Sequence, residues 1–115
     1  MYVGHGNEYA STSAYTMLAS MLHAQGAQHS YVGTIEGWPD LEVSVSQLKN
    51  KGYKKVTLVP LLMACGVHAR EDIDGEWRPA IESLGYAVDV RFQGLCERQE
   101  IRQLIITHLS NLLAK

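Results

Sequence analysis

Cysteine is scarce in this chain: Cys65 and Cys96 lie far apart and form no C-x-x-C pair, so neither a zinc ribbon nor a disulfide framework is indicated. Reduced, buried thiols are expected. An excess of charge of one sign is missing too. Ten Lys and Arg against twelve Asp and Glu give a net charge of −2, with no basic face for nucleic acid and no block of like charges for a solvated tail. The partners expected are small molecules or protein, and nucleic acid is excluded. The longest apolar stretch, "VTLVPLLMACGV" at 56–67, is broken by Pro60 and Gly66 and falls short of the about 20 residues that cross a bilayer. No membrane association is expected, and the absence of a visible signal peptide points to the cytoplasm.

What is present is a repeating order. "MYV", "SYVGTI", "KKVTLVPLL" and "YAVDVRF" are short runs rich in β-branched and other apolar residues, bounded by Gly, Pro or polar residues, and they predict strands. Between them lie segments with helical spacing. Ala14, Leu18, Met21 and Leu22 form one apolar stripe, Leu41, Val45 and Leu48 a second, and Ile101, Leu104, Ile105, Leu109 and Leu112 a last one. Glycines in "AQGAQ", "NKGYKK" and "ESLGYA" mark helix ends. The third helix is expected to start near Asp72 or Asp74, with Pro79 close to that start and Glu71 beside it favouring a helix N-terminus. Strand–helix alternation over 115 residues, the length of one compact domain, predicts an α/β fold. The expected architecture is a single domain over 1–115 with a four-stranded, mainly parallel sheet covered by helices on both faces and joined by right-handed crossovers.

Ligands of such sheets bind beyond the carboxyl ends of the strands. His5 leaves the first strand in "YVGHG", Glu36 leaves the second in "YVGTIEGWP", and His68 follows the third in "LVPLLMACGVHARED". Two imidazoles and one carboxylate at one edge have the composition of a divalent-metal site for Co, Ni, Fe or Zn, with coordination positions left open. Against this stands the plainer reading: Glu36 as a turn residue before Gly37-Trp38-Pro39, and His68 as a helix-start residue with an ordinary hydrogen bond. His23 and His108 fall within helical segments and His29 in a polar loop, where packing or solvated roles are expected. Cys65 follows an apolar run and is expected in the core. Trp38, Trp77 and Tyr9 lie near the predicted edge, able to pack or to meet a flat ligand.

Three segments, "YVGHGNEYASTSAYTML", "YVGTIEGWPDLEVSVSQLKNKGYKKVTLVPLLMACGVHA" and "GLCERQEIRQLIITHL", resemble the C-terminal half of the anaerobic, type II sirohydrochlorin cobaltochelatases of cobalamin biosynthesis. The resemblance implies a flavodoxin-like, chelatase-like domain that inserts Co2+, as substrate ion, into sirohydrochlorin, with no organic cofactor. It implies His5, Glu36 and His68 as the metal-contacting and catalytic residues. Val67 stands where the family commonly has aspartate, and the segment "REDIDGEW" after His68 is shorter than the acidic one usual there. The family's N-terminal domain has no counterpart before Met1, so the implied partner is a second copy in a homodimer or the missing half.

The reaction sets its own demands. The ion must shed water, the macrocycle must present a nitrogen lone pair, and two pyrrole N–H protons must leave. Two neutral imidazoles and a carboxylate hold the ion yet release it, and a free imidazole, which titrates near about 6.5, can accept a proton. His5 is the first candidate for that base. For the substrate's carboxylates the expected donors are backbone N–H groups near Asn7 to Ser11 together with Arg70; Tyr9 and Trp38 are the candidate ring contacts. Nickel insertion into a related tetrapyrrole, metal carriage, a non-catalytic half-domain and metal-assisted hydrolysis remain as alternatives, the last without an H-E-x-x-H motif.

Overall fold

A computed structural model describes residues 1–114. Strands β1 (Tyr2–Gly4), β2 (Val32–Thr34), β3 (Lys55–Leu61) and β4 (Ala87–Val90) form one sheet in the order β2-β1-β3-β4, and every pairing is parallel. The register sets Val3 beside Gly33 and Pro60, which brings the ends of β1, β2 and β3 to a common edge.

Pro60 sits in a central strand, where a missing N–H ordinarily breaks a ladder. Here the Val59 amide donates to Met1 O at 2.9 Å, so position 60 faces the other neighbour, and β4 pairs with β3 only as far as Leu58. The proline therefore lies past the last bond it would interrupt.

Helices α1 (Ser13–Ala24), α2 (Leu41–Leu48), α3 (Val67–Asp72), α4 (Arg78–Glu82) and α5 (Gln99–Leu113) fill the connections. The α2 start is capped by Asp40, whose carboxylate accepts the Val43 amide at 3.0 Å. The third helical segment differs from expectation. It begins at Val67 behind an extended Gly66, passes through a wide turn at Ile73–Trp77 and continues into α4. Asp74 consequently lies inside the helical run and pairs with Arg78 one turn on. An acidic residue that looks like an N-terminal signal serves equally well as an i,i+4 partner.

Alternation along β3 sends Val56, Leu58 and Pro60 inward. They meet Val3, Leu48, Ile73, Trp77 and Ile81, all buried, in a core between the sheet and the α2, α3 and α4 layer. Gly33 is required there, because a Cβ at that position would collide with the Trp77 ring and Ser44. The opposite face is covered less. α1 packs near β2, while Tyr2, Thr57 and Val59 remain only partly buried. α5 contributes no fully buried residue, and beyond the half-buried Ile101 its predicted apolar stripe is exposed.

Candidate metal-handling site

The loop after β1 is shaped by two glycines. Gly4 leaves room for the ring of Tyr15, where any Cβ would clash, and Gly6 takes φ +74° with its Cα against Thr34 and the backbone of Gly37. A left-handed residue in such close approach to another chain segment favours glycine. His5 is thereby fixed between two constrained positions. Its Nδ1 lies 2.7 Å from Gly6 O, and the Gly6 amide donates to the Tyr15 hydroxyl at 3.3 Å.

The loop after β2 is tied to the first by a continued ladder. The Ile35 amide donates to Gly4 O at 2.9 Å and the Glu36 amide to His5 O at 2.7 Å. Buried Thr34 then holds the turn: its Oγ1 donates to Pro39 O at 3.1 Å and accepts the Gly37 amide at 3.0 Å. These bonds bring Glu36 to His5, with a carboxylate oxygen 3.6 Å from Nε2 and both side chains about three-fifths exposed (60% and 65%). His5, Glu36, Asn7, Glu8 and Tyr9 line an open cavity of about 590 Å3. The Asn7 carboxamide oxygen accepts the Tyr9 amide at 2.8 Å, and Tyr9 and Trp38 present largely exposed rings nearby in the chain.

His68 and Arg70 lie elsewhere. His68, in the first turn of α3, has a fully exposed side chain and pairs with Glu71 at 3.8 Å. Arg70 donates from Nε to Cys65 O and from Nη2 to Phe92 O, with its guanidinium 5.0 Å from the centre of the Phe92 ring. Among the described residues no three of His, Cys, Asp or Glu gather closely enough to hold an ion. Two of the three expected ligands are therefore together, and the third is not. Burial pushes the Cys65 thiol above its usual range, Arg70 pulling it down and Glu97 adding to the rise. Tyr15, Thr34 and Gly37 were not legible as site residues. Their only sequence signal was the glycine spacing in "VGHG" and "IEGWP", which marks close backbone approach without naming the neighbour.

A family model described as Cobalt chelatase (CbiK) matches residues 1–114. The chain belongs to the cobalt chelatase family. It is 30% identical over 117 residues to the sirohydrochlorin cobaltochelatase of Salmonella typhimurium, covering 98% of this chain and 44% of that protein. It is 29% identical over 114 residues to the sirohydrochlorin cobaltochelatase CbiKC of Nitratidesulfovibrio vulgaris, covering 96% of this chain and 40% of that one. The chain thus spans less than half the length of these two relatives. Among the described residues no helix is long and apolar enough to cross a membrane.

Proposed function

We propose that this chain is one half of a sirohydrochlorin cobaltochelatase, delivering Co2+ as substrate to the metal-free tetrapyrrole macrocycle in cobalamin biosynthesis. The observation that carries the reading is the facing pair of His5 and Glu36 at the carboxyl edge of the sheet, on a chain matched end to end by the cobalt chelatase family. An imidazole and a carboxylate, both open to solvent, suit a labile divalent ion such as Co2+, Ni2+, Fe2+ or Zn2+ better than a resident structural one, because few ligands leave room for exchange.

In this reading His5 and Glu36 take the ion first and His68 becomes the third ligand. The His68 side chain is held by a single exposed contact to Glu71, so coordination replaces an interaction of little worth. Once the ion passes to the ring, His5 is the base placed to accept a pyrrole proton, with the Gly6 carbonyl fixing its other nitrogen. Asn7 and the N–H groups of Arg70 not engaged by backbone carbonyls serve the substrate's carboxylates, and Tyr9 and Trp38 flank the macrocycle. A second chelatase-like domain, from another copy or from a longer polypeptide, closes the cleft.

The two-ligand arrangement also favours a second reading, in which the half alone holds cobalt but does not insert it. One experiment tests both. Co2+ is titrated calorimetrically into the chain, and the visible spectrum of sirohydrochlorin is followed on adding the loaded protein. Binding with spectral conversion supports chelation, binding without it supports the silent half, and no binding refutes the site.

A further inference from the structure

Thr12 stands at the start of α1, at the end of a single 3-10 turn over Ala10–Thr12, yet its side chain caps no helix amide. Threonine in that place ordinarily accepts a bond from the first turn of the helix. Here the hydroxyl serves a different neighbour. A Cβ at Gly37 would strike Thr12 Oγ1 and lie 3.0 Å from both the nitrogen and the carbonyl oxygen of Asn7, so the hydroxyl lies against Gly37 beside the Asn7 backbone. Gly37 does not take a left-handed conformation. The space filled by Thr12 and Asn7 is what requires glycine there.

Thr12 Oγ1 is shut off from solvent and has no hydrogen-bond partner, and it is the one such side-chain atom among the described residues. Buried polar groups are nearly always paired, and an unpaired one in a native fold marks strain or a role. Its place narrows the choice. Asn7 lies two residues after His5 and Gly37 directly follows Glu36, so the hydroxyl sits where the two ligand-bearing loops meet. The facing ligand atoms of His5 and Glu36 stand 3.6 Å apart. An ion of zinc-like size, held about 2.0–2.2 Å from each, would set them about 2.9–3.5 Å apart at octahedral or tetrahedral angles.

We propose that Thr12 is a positioning residue of the metal site. As the ion draws His5 and Glu36 together, the loop 5–9 closes on Gly37 and the Thr12 hydroxyl donates to the Asn7 carbonyl oxygen. An unpaired buried group in the free protein thus becomes a paired one in the bound protein. Ion affinity rises by that difference, since a ligand shifts an equilibrium only by what distinguishes the two states. Thr12 itself touches neither the ion nor the tetrapyrrole. The inference rests on the reading of His5 and Glu36 as cobalt ligands and adds a residue that acts through their loops.

The full chain and its variants are compared by urea unfolding without metal and by calorimetric titration of Co2+. Thr12→Val removes the hydroxyl and keeps the branched shape. It should unfold at the parent's urea midpoint or above it, because no unpaired group stays buried, yet bind Co2+ about three- to tenfold more weakly. Thr12→Ala, which adds nothing against Gly37, should show the same loss of affinity, and Thr12→Ser should keep the affinity of the parent. In a Glu36→Gln background the further loss on Thr12→Val should shrink toward nothing, because the loop is no longer drawn in. A Thr12→Ala variant that keeps the parent's affinity overturns the proposal, as does a loss of affinity that Thr12→Ser shares. A parent chain that binds no Co2+, or a Glu36→Gln variant that binds as tightly as the parent, refutes the metal site itself and the role of Thr12 with it.

Discussion

The hydroxyl of Tyr15 accepts the Gly6 amide 3.3 Å away, while its ring fills the space a side chain at Gly4 would need. A residue on the first turns of α1 therefore holds both flanks of His5, and the orientation of that imidazole is a property of helix packing as much as of the β1 loop.

Removing that support should loosen the loop without touching a ligand. Tyr15→Phe loses one hydrogen bond, about 0.5–1.5 kcal/mol of stability. Gly4→Ala drives a methyl into the Tyr15 ring and should cost about 1–3 kcal/mol by overpacking. Urea unfolding measures the stability change, and calorimetric titration of Co2+ should show weaker binding in both. Unchanged affinity in Gly4→Ala would detach the helix from the site.

Ligand variants should separate from the other histidines. His5→Ala and Glu36→Gln are each expected to lower Co2+ affinity about tenfold or more, since either empties a position in a site that has few. His68→Ala should reduce spectral conversion of sirohydrochlorin more than it reduces initial binding, because His68 stands apart from the pair. His108→Ala should leave both unchanged. His23→Ala and His29→Ala should leave cobalt binding unchanged but lower stability, as His23 Nε2 sits 2.7 Å from Ser30 O and His29 Nδ1 3.0 Å from the Tyr53 hydroxyl. Cobalt affinity lost in any of these last three places the site elsewhere.

Trp77 is the largest side chain in the core and lies against the strand position that must be glycine. Trp77→Ala should cost about 3–5 kcal/mol through lost burial and the cavity left behind. Gly33→Ala should also destabilise, by forcing Trp77 or Ser44 to move. Denaturant midpoints check both, and a Gly33→Ala variant as stable as the parent would show that this core can yield.

Alkali should weaken the fold from the end of the sheet opposite the site. Burial, and then the 2.8 Å hydrogen bond with Tyr53, push the Tyr31 hydroxyl from 10.0 up to about 12. Between those values the unfolded chain binds fewer protons than the folded one. The contribution is fully present below about pH 10 and is lost as pH rises through about 12. Urea midpoints at about pH 9 and about pH 11 should fall in the parent and fall less in Tyr31→Phe. Equal slopes would remove Tyr31 from the effect.

The sequence by itself determined the order of elements, because short apolar runs alternate with longer segments, three of them with an apolar stripe of helical spacing, and glycines punctuate the changes. It also determined that His5 and Glu36 share an edge, since each directly follows a strand and parallel neighbours end together. The start of α3 at Val67 was not legible, because no capping side chain stands there and Asp74, one of the two acidic residues that suggested a later start, instead pairs with Arg78 along the helix. The separation of His68 from His5 and Glu36 was equally hidden. Strand order places a loop at an edge, but the loop's path fixes where a side chain ends, and 62–68 is bound to the Gly94–Cys96 turn, not to the Gly6–Gly37 contact. The stripe on α5 was plain in the sequence, yet which surface it meets is a matter of the angle set by Glu97, Gly94 and Arg102. Periodicity records that a face is apolar; only the tertiary arrangement decides whether its own sheet is within reach.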